Sequence, residues 1–338
     1  MSKYILAFLC VLSSSLFATI HPEPGQWGAT GEYLYMKPLV DDSYFVIKSP
    51  NTVNIDHDIL VGEEKNNEFD FSSGYRVGIS YTFCESDSEI ALFYTQLDAN
   101  HNRTISGDIL SPTIGIEEYF FFASHYKGIA TSKLGIQYQR ADGVFAQRVY
   151  QKNNFDLRAI FGIEYAGLNG NENIHYSPNS VIPNEFTSSN SLLKKTSKTW
   201  GIGPEVGVDF NYELYRFSDC LPSSLNVNFL STGSILLSRC KSTSEMVYTV
   251  LTGTYNYDVQ QEKSTRIIPA FHARLGFNYD FHLCDFEGSI GVGCEFNTYI
   301  KALMSTINSS FYGYTGLTNT EYNDFVAQGF FANLSVKF

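Results

Sequence analysis

An alternating stretch, FDLRAIFGIEYA, occupies residues 155–166. Every second residue of it is apolar, and the positions between carry Asp156, Arg158 and Glu164. Because successive side chains of a β-strand point to opposite faces, a period of two predicts a strand with one apolar face and one charged face. We therefore predict a long two-faced strand over residues 155–168.

The same alternation recurs along the chain and predicts nine further strands. These lie near 27–37, 71–83, 89–97, 129–139, 197–213, 224–238, 264–281, 286–303 and 322–338. Most of them run to about ten residues or more, which is the length a tilted strand needs to cross a bilayer. Additional hairpins could lie within 140–154 or 246–257, so we expect about 10 to 14 strands in all.

These strands favour an all-β fold, a transmembrane antiparallel β-barrel. Lipid offers no hydrogen-bond partner to an open sheet edge, so a membrane-spanning sheet must close on itself. The alternative is a soluble secreted β-sandwich, but sandwich strands average roughly five or six residues. The chain ends on Phe338. Outer-membrane barrels commonly end in an alternating strand with a terminal aromatic residue, so we interpret Phe338 as the signal for the barrel assembly machinery.

The connections between the predicted strands alternate in length. Short turns are predicted at 84–88, 217–223 and 282–285, and long connections at 38–70, 98–128, 169–196, 239–263 and 304–321. Outer-membrane barrels keep their short turns in the periplasm and their long loops outside. This parity predicts an even number of strands, with ten as the simplest count, and places both chain ends in the periplasm.

Composition excludes several classes of protein. Of 338 residues, 15% are aromatic and only 17% are charged, which argues against disorder. A helical membrane protein needs about 20 consecutive apolar residues, and the mature chain has no such run. Lys and Arg number 23 against 35 Asp and Glu, a formal charge of −12 without a basic block, so nucleic acid is not an expected partner.

The N-terminus has the pattern of a secretory signal. Lys3 is the charged region, 4–12 the apolar region, and 13–18 a small-residue cleavage zone, so we expect a signal peptide over 1–18 and one barrel domain over 19–338. A lipoprotein anchored at Cys10 is the alternative, but the residues before it lack the small side chain that such processing needs. We predict a bacterial outer-membrane protein of a Gram-negative cell.

Export makes the cysteines of interest. The mature chain holds five, an odd number in an oxidising compartment. Cys84, Cys220 and Cys284 fall in predicted short turns at one end of the barrel. We hypothesise that they form disulfides at the periplasmic rim or cross-link neighbouring envelope proteins; the alternative is free thiols without a role. Cys294 is predicted to face lipid, and Cys240 to begin an outer loop.

The charged face of the strands predicts the lining of the barrel interior. Its acidic candidates outnumber its basic ones and would favour cations by raising their local concentration. The alternative is that each charge forms an interior ion pair that stiffens the wall. The candidates are Arg76, Asp156, Arg158, Glu164, Glu205, Asp209, Glu213, Arg274, Asp280, Glu287 and Glu295. An aromatic loop at 116–123 is expected to fold inward as a plug or to pack on the rim.

Six segments of the chain, taken in order, carry a family resemblance. They are WGATGEYLYMKP (27–38), SGYRVGISY (73–81), FDLRAIFG (155–162), GIGPEVG (201–207), IPAFHARLG (268–276) and the final strand, 325–338. The set resembles the Legionella-type major outer membrane proteins, a pore-forming family also found in chlamydia-related bacteria. Two positions depart from its pattern: Met36 stands where the family usually has Trp, and Glu205 where it often has Arg. The second departure changes the charge of the interior, so ion selectivity is not carried over.

The resemblance implies a pore-forming outer-membrane protein for passive diffusion of small solutes or ions. The alternative is an adhesin or structural envelope protein, in which the barrel displays outer loops such as the Asn- and Ser-rich stretch 169–196. A barrel hydrolase is a third reading, but neither a Gly-x-Ser-x-Gly elbow nor a zinc helix occurs, and we predict no enzyme, cofactor or metal site. Expected partners are outer-membrane lipid, the assembly machinery and other copies or envelope proteins.

Overall fold

The computed structural model describes residues 25–40, 43–48, 62–83, 88–112, 126–181, 188–217, 223–250, 253–260, 263–283, 286–311 and 314–338. These residues form thirteen β-strands. The strands are β1 (Gln26–Val40), β2 (Tyr44–Lys48), β3 (Glu63–Asn66), β4 (Ser72–Phe83), β5 (Ser88–Pro112), β6 (Tyr126–Lys152), β7 (Phe155–Val181), β8 (Ser188–Phe217), β9 (Ser223–Val250), β10 (Gly253–Gln260), β11 (Ser264–Leu283), β12 (Phe286–Phe311) and β13 (Tyr314–Lys337). Across the described ranges, no helix has the length and apolar character to cross a membrane.

Ten of the strands close into a ring of antiparallel pairs. The order around the ring is β1, β4, β5, β6, β7, β8, β9, β11, β12 and β13, and β13 pairs with β1 again. The closure extends to the chain end, where the backbone N–H of Trp27 donates to Phe338 O at 3.0 Å and that of Phe338 donates to Trp27 O at 2.9 Å. The predicted all-β barrel is confirmed, and each of the ten ring strands covers one of the ten predicted strands, apart from residue 71 before β4 and residue 338 after β13.

The ring has a proximal end and a distal end. The proximal end holds Trp27, Phe338 and the turn at Asn153 and Asn154 between β6 and β7. Asn153 has φ 54°, a left-handed conformation that Asn tolerates in tight turns. The distal end holds the paired strands β2 and β3, and β10, which pairs with β9.

The strands run much further toward the distal end than predicted. Residues 98–112, 169–181 and 188–196 were expected in long loops, whereas they belong to β5, β7 and β8. β8 has 30 residues and, at the usual strand tilt, rises roughly 75 Å along the barrel axis. The apolar band of such barrels is only about 25 Å tall. The expectation was wrong because the outward side chains of these distal segments are mostly polar. Without apolar residues at every second position, the segments were interpreted as loops.

The two suggested additional hairpins have different outcomes. Residues 140–154 contain no hairpin of their own; β6 continues to Lys152 and pairs with β7 along nearly its whole length. The Asp142-Gly143 dipeptide, typical of a turn, lies inside β6, where Asp142 pairs with Glu164 and Gly143 with Ile163 of β7. Residues 246–257 do form a hairpin, between β9 and β10.

The outer surface near the proximal end carries the lipid-facing band. Its apolar side chains are well exposed on the isolated chain, for example Leu237 at 60% and Ile267 at 67%. Aromatic residues stand near its two limits, with Trp27 and Phe338 at the proximal end and Trp200 on the distal side. Aromatic girdles of this kind mark the two interfaces of a membrane barrel.

The core lies inside the ring. One buried cluster includes Leu34, Tyr138, Tyr299 and Phe325, and a second, more distal one includes Phe45 from β2 together with inward residues of the ring. The Tyr176 hydroxyl donates to Phe45 O at 2.6 Å and fastens the paired strands β2 and β3 over the distal interior. The interior is therefore packed with side chains, as expected for a narrow barrel.

Some predictions fall on residues outside the described ranges. These are the signal peptide over 1–18, the aromatic loop at 116–123, and Cys84, Cys220 and Cys284. Of the other cysteines, Cys294 is exposed on the outer surface, and Cys240, expected at the start of a loop, is buried in the interior as part of β9.

Candidate functional site: a charged layer and a constriction inside the barrel

Arg76 is the centre of one half of a charged layer that crosses the barrel interior. Its guanidinium donates through Nη1 to Glu32 Oε2 at 2.9 Å and through Nη2 to Glu295 Oε1 at 2.5 Å. Its Nε donates to Thr95 Oγ1 at 2.9 Å. Arg274 reaches the other oxygen of Glu32 at 2.7 Å. Side chains from β1, β4, β5, β11 and β12 thus meet inside the ring, because all of them project inward.

Arg140 is the centre of the other half. Its Nε donates to Asp142 Oδ1 at 2.7 Å and lies 3.6 Å from Glu164 Oε1, and its Nη2 donates to Glu205 Oε1 at 2.8 Å. All four side chains are buried. The three carboxylates offer oxygens within 4.8 Å of one another. A guanidinium already lies among them, so the cation that this cluster holds in the structure is Arg140.

His272 joins the two halves. Its Nε2 lies 3.1 Å from Glu164 Oε2, and its Nδ1 lies 2.9 Å from Asn297 Oδ1. Asn297 in turn donates to Glu295 Oε1 at 2.8 Å. On the distal side, the Tyr299 hydroxyl donates to Glu164 Oε1 at 2.6 Å. The result is a continuous network across the interior.

The charged layer has more carboxylates than guanidiniums. Five carboxylates face three guanidiniums, a formal charge of −2 with His272 neutral: Glu32, Asp142, Glu164, Glu205 and Glu295 against Arg76, Arg140 and Arg274. Each of these groups has a hydrogen-bond or ion-pair partner, although two of their atoms, Glu205 Oε2 and Arg274 Nε, are buried without one. The layer therefore combines tight pairing with a net negative potential.

A second set of charges lies on the proximal side of the layer. Asp156 accepts from Arg148 at 3.0 Å and from Arg158 at 3.4 Å, and Arg158 also reaches Glu89 at 3.2 Å. Asp209 pairs with Arg158 in the β7–β8 register. Asp280 accepts from the Asn226 amide at 2.5 Å.

Two predicted lining residues lie at the proximal rim. Glu213 pairs with the exposed Arg216 at 2.6 Å, and Glu287 lies 3.6 Å from His282, with both of those side chains about half exposed. Ion pairs this exposed to solvent contribute little to stability. All eleven predicted lining residues thus belong to the barrel interior or its proximal rim, with five of them, Arg76, Glu164, Glu205, Arg274 and Glu295, in the charged layer.

On the distal side of the charged layer, β12 leaves the wall and enters the interior. Its register with β13 breaks between Tyr299 and Leu303, and Lys301 adopts φ 54°. The displaced backbone is held from across the ring by β8: Thr199 Oγ1 donates to Ala302 O at 2.6 Å, and the N–H of Met304 donates to Ser197 Oγ at 2.9 Å. Because β9 and β11 lie between β8 and β12 in the wall, these bonds cross the interior and form a constriction.

A small cavity of about 90 Å³ lies beside this constriction. Leu303, Met304, Phe69 and Ile136 form apolar parts of its lining, and Glu172 and Lys195 form a polar part. Gly170 also lines it, and a Cβ added there would lie 3.8 Å from the Leu303 side chain, an ordinary contact. The packing of the interior is thus incomplete at this level.

Several members of the site were missed from the sequence. Glu32 alternates with the outward Tyr33 and could have been found by extending the period-two argument to the first strand. Arg140 and Asp142 were missed because the predicted strand stopped at residue 139. The constriction has no sequence signal of its own, since the TYIKALM stretch at 298–304 resembles a continuous apolar strand.

Comparisons with known proteins give a family match and matches to solved structures. The family model described as Legionella pneumophila major outer membrane protein precursor matches residues 19–338. No curated protein matches the chain in sequence. Among solved structures, the outer membrane protease OmpT from Escherichia coli is 8% identical with a TM-score of 0.45 and covers 95% of this chain and 99% of its own. A Pseudomonas aeruginosa FadL homologue is 9% identical with a TM-score of 0.27 and covers 94% and 90%.

Proposed function

Because the chain belongs to the Legionella pneumophila major outer membrane protein family and lies in the bacterial outer membrane, we propose that it is a pore-forming protein that passes small cations. The observation that supports this most is the charged layer, which crosses the interior with five carboxylates against three guanidiniums. Carboxylates in a low-dielectric channel attract cations and repel anions. Selectivity is thereby assigned to Glu32, Asp142, Glu164, Glu205 and Glu295.

The packing of the interior limits what such a pore can pass. The constriction at Ala302, Leu303 and Met304 is buried, and the guanidiniums of the charged layer are held by carboxylates on several strands. A cation crosses this layer by taking the place of a guanidinium beside a carboxylate, so each passage requires ion pairs to exchange. We therefore expect a small conductance, well below that of wide general porins with 16 to 18 strands.

Single-channel recording of the refolded protein in planar bilayers tests the proposal. Under a salt gradient, the reversal potential is expected to show cation preference. Glu205→Gln, which removes one carboxylate from the layer, is expected to reduce that preference, while Glu287→Gln at the proximal rim serves as the matched control and changes it less. Anion preference of the parent protein, or equal effects of the two variants, would contradict the assignment.

The second candidate function is a structural or adhesive envelope protein, supported by a separate observation. The strands continue far beyond the lipid-facing band, and the distal interior is a packed apolar core. A rigid distal extension of this kind suits a protein that presents its outer surface for contact with other molecules. Liposome swelling separates the two functions: an absence of ion and solute flux from folded protein would favour display.

We propose no enzymatic activity for the chain. His272, which a barrel hydrolase could use, is buried. Both of its ring nitrogens lie within hydrogen-bonding distance of other side chains. Its position, between Glu164 and Asn297, suits a structural link in the charged layer.

A further inference from the structure

The outer wall formed by β8, β9 and β11 has a sharp boundary between apolar and cationic residues. Ile202, Leu237 and Ile267 are exposed on the lipid-facing band, and Trp200 is the last apolar residue on β8 before its outward positions become polar. The next outward residue is Lys198 on β8 and Arg239 on β9. Lys241 follows Arg239 on the same face of β9. Lys198, Arg239 and Lys241 are called the basic patch below.

The basic patch brings like charges together. Lys198 and Lys241 are direct partners in the β8–β9 register, and Trp200 and Arg239 are partners one step nearer the band. Like charges directly opposite each other on one sheet face destabilise the pairing. The wall therefore has a local excess of positive charge that an anion would relieve.

No carboxylate offsets this charge within the described ranges. None of the three side chains forms an ion pair there within 4.0 Å. The register partners of Lys198 and Arg239 on the flanking strands are neutral, with Asn169 opposite Lys198 and Thr265 opposite Arg239. The nearest described acid on these two strands toward the distal end is Glu245, which Lys194 already holds at 3.1 Å.

The residues below the patch suit an acyl chain. Ile202, Ile235, Leu237 and Ile267 form a continuous exposed apolar surface across β8, β9 and β11, because Ile202 and Ile267 both pair with Leu237. Trp200 stands between this surface and the patch, with the Arg239 guanidinium 5.9 Å from its ring. Trp residues prefer the level of the lipid headgroups, so the patch lies where headgroup phosphates are found.

We propose that the basic patch binds the phosphorylated headgroup of an outer-leaflet glycolipid of the lipid A class. A phosphate lies between Lys198, Lys241 and Arg239 and relieves their mutual repulsion, while an acyl chain lies on the apolar wall below Trp200. The leaflet follows from the orientation that places short turns in the periplasm and the distal boundary outside. The site does not depend on whether the barrel conducts ions.

Fluorescence of Trp200 can test the site directly, because the chain has only two tryptophans. In a Trp27→Phe variant refolded in zwitterionic detergent, Trp200 is the sole tryptophan. Titration with bisphosphorylated lipid A is expected to give a saturable change in emission. The same lipid A with its phosphates removed, and inorganic phosphate alone, are expected to bind far more weakly.

Variants then separate charge from fold. In the same background, the double variant Lys198→Gln, Lys241→Gln is expected to bind lipid A about 30-fold more weakly. Each lysine near an anionic surface raises the affinity roughly fivefold. Lys198→Arg with Lys241→Arg should retain binding. The matched control, Lys127→Gln with Lys133→Gln on the outer face of β6, should bind like the parent. Heat-modifiable gel mobility verifies that each variant is folded.

Three results would overturn the site. They are equal binding of the parent and the folded Lys198→Gln, Lys241→Gln variant, equal binding of lipid A with and without phosphates, and an equal response to inorganic phosphate alone. The last would show an anion site without a lipid partner.

Discussion

The proximal and distal parts of the barrel are built by opposite rules. In the proximal part, apolar side chains such as Ile163 and Leu237 face outward and charged ones such as Glu164 and Arg140 face inward. In the distal part, Ile174 and Tyr176 are buried inside while His175 is exposed outside. The period of two is common to both parts, but the proximal wall is arranged for lipid and the distal wall for water.

The interiors of the two parts are therefore stabilised by different interactions. The distal interior gains stability from apolar burial, as a soluble domain does. The proximal interior depends on the mutual satisfaction of buried charges, for which breaking one partner costs more than the pair contributes. The two parts should therefore respond differently to similar changes, and three sets of variants test this, from the largest expected effect to the smallest.

The largest effect is expected for Arg140→Met in the charged layer. The change leaves Asp142, Glu164 and Glu205 without their guanidinium and should lower the free energy of unfolding by about 3–5 kcal/mol. Arg216→Met at the exposed rim is the matched control and should change the free energy of unfolding far less, because solvent screens that ion pair. Urea unfolding in detergent or vesicles, monitored by tryptophan fluorescence, measures both.

A double variant shows whether the Arg140 effect is electrostatic. Arg140→Met combined with Glu205→Gln removes a carboxylate together with its guanidinium and should recover part of the loss. If the double variant is as unstable as the sum of the single variants, the pair does not interact, and the account of the proximal interior fails.

An intermediate effect is expected for Leu303→Ala in the constriction. Removing a buried leucine side chain costs about 2–5 kcal/mol, and the low end applies here because Leu303 already borders a cavity. Leu237→Ala on the lipid face, where lipid fills the vacated space, should cost less. If the constriction limits conduction, planar-bilayer recording should also show a larger conductance for Leu303→Ala and an unchanged one for Leu237→Ala.

The sequence predicts the proximal part better than the distal part for a physical reason. Where lipid lies outside, outward side chains must be apolar, so strands such as 155–168 and 264–281 stand out in one pass along the chain. Part of the charged layer is also predictable, because Arg76, Glu164 and Glu295 alternate with the outward apolar residues of their strands. Arg140 was missed because the predicted strand stopped at residue 139, whereas β6 continues to Lys152 and pairs with β7 there.

The distal part depends on contacts between residues that are far apart in the chain. Phe45 is buried because Tyr176 and its neighbours lie over it, and nothing near Phe45 in the sequence indicates that. The constriction likewise requires Thr199 and Ser197 from the opposite wall to hold the β12 backbone. Alternation reports which face a residue occupies, but not which strand lies across the interior from it.

The smallest effect compares a glycine from each part. Gly170 lines the distal cavity, where an added Cβ meets nothing closer than 3.8 Å, so Gly170→Ala should stabilise the barrel by about 0.5–1 kcal/mol through reduced entropy of the unfolded chain. Gly203 lies in the proximal wall, where an added Cβ would collide with the backbone carbonyl of Ile235 and with the Cα of Leu236, so the backbone would have to shift. Gly203→Ala should therefore destabilise. Chemical denaturation of both alanine variants measures the two changes in the free energy of unfolding. Stabilisation by Gly203→Ala would contradict the close packing of β8 against β9 at this position.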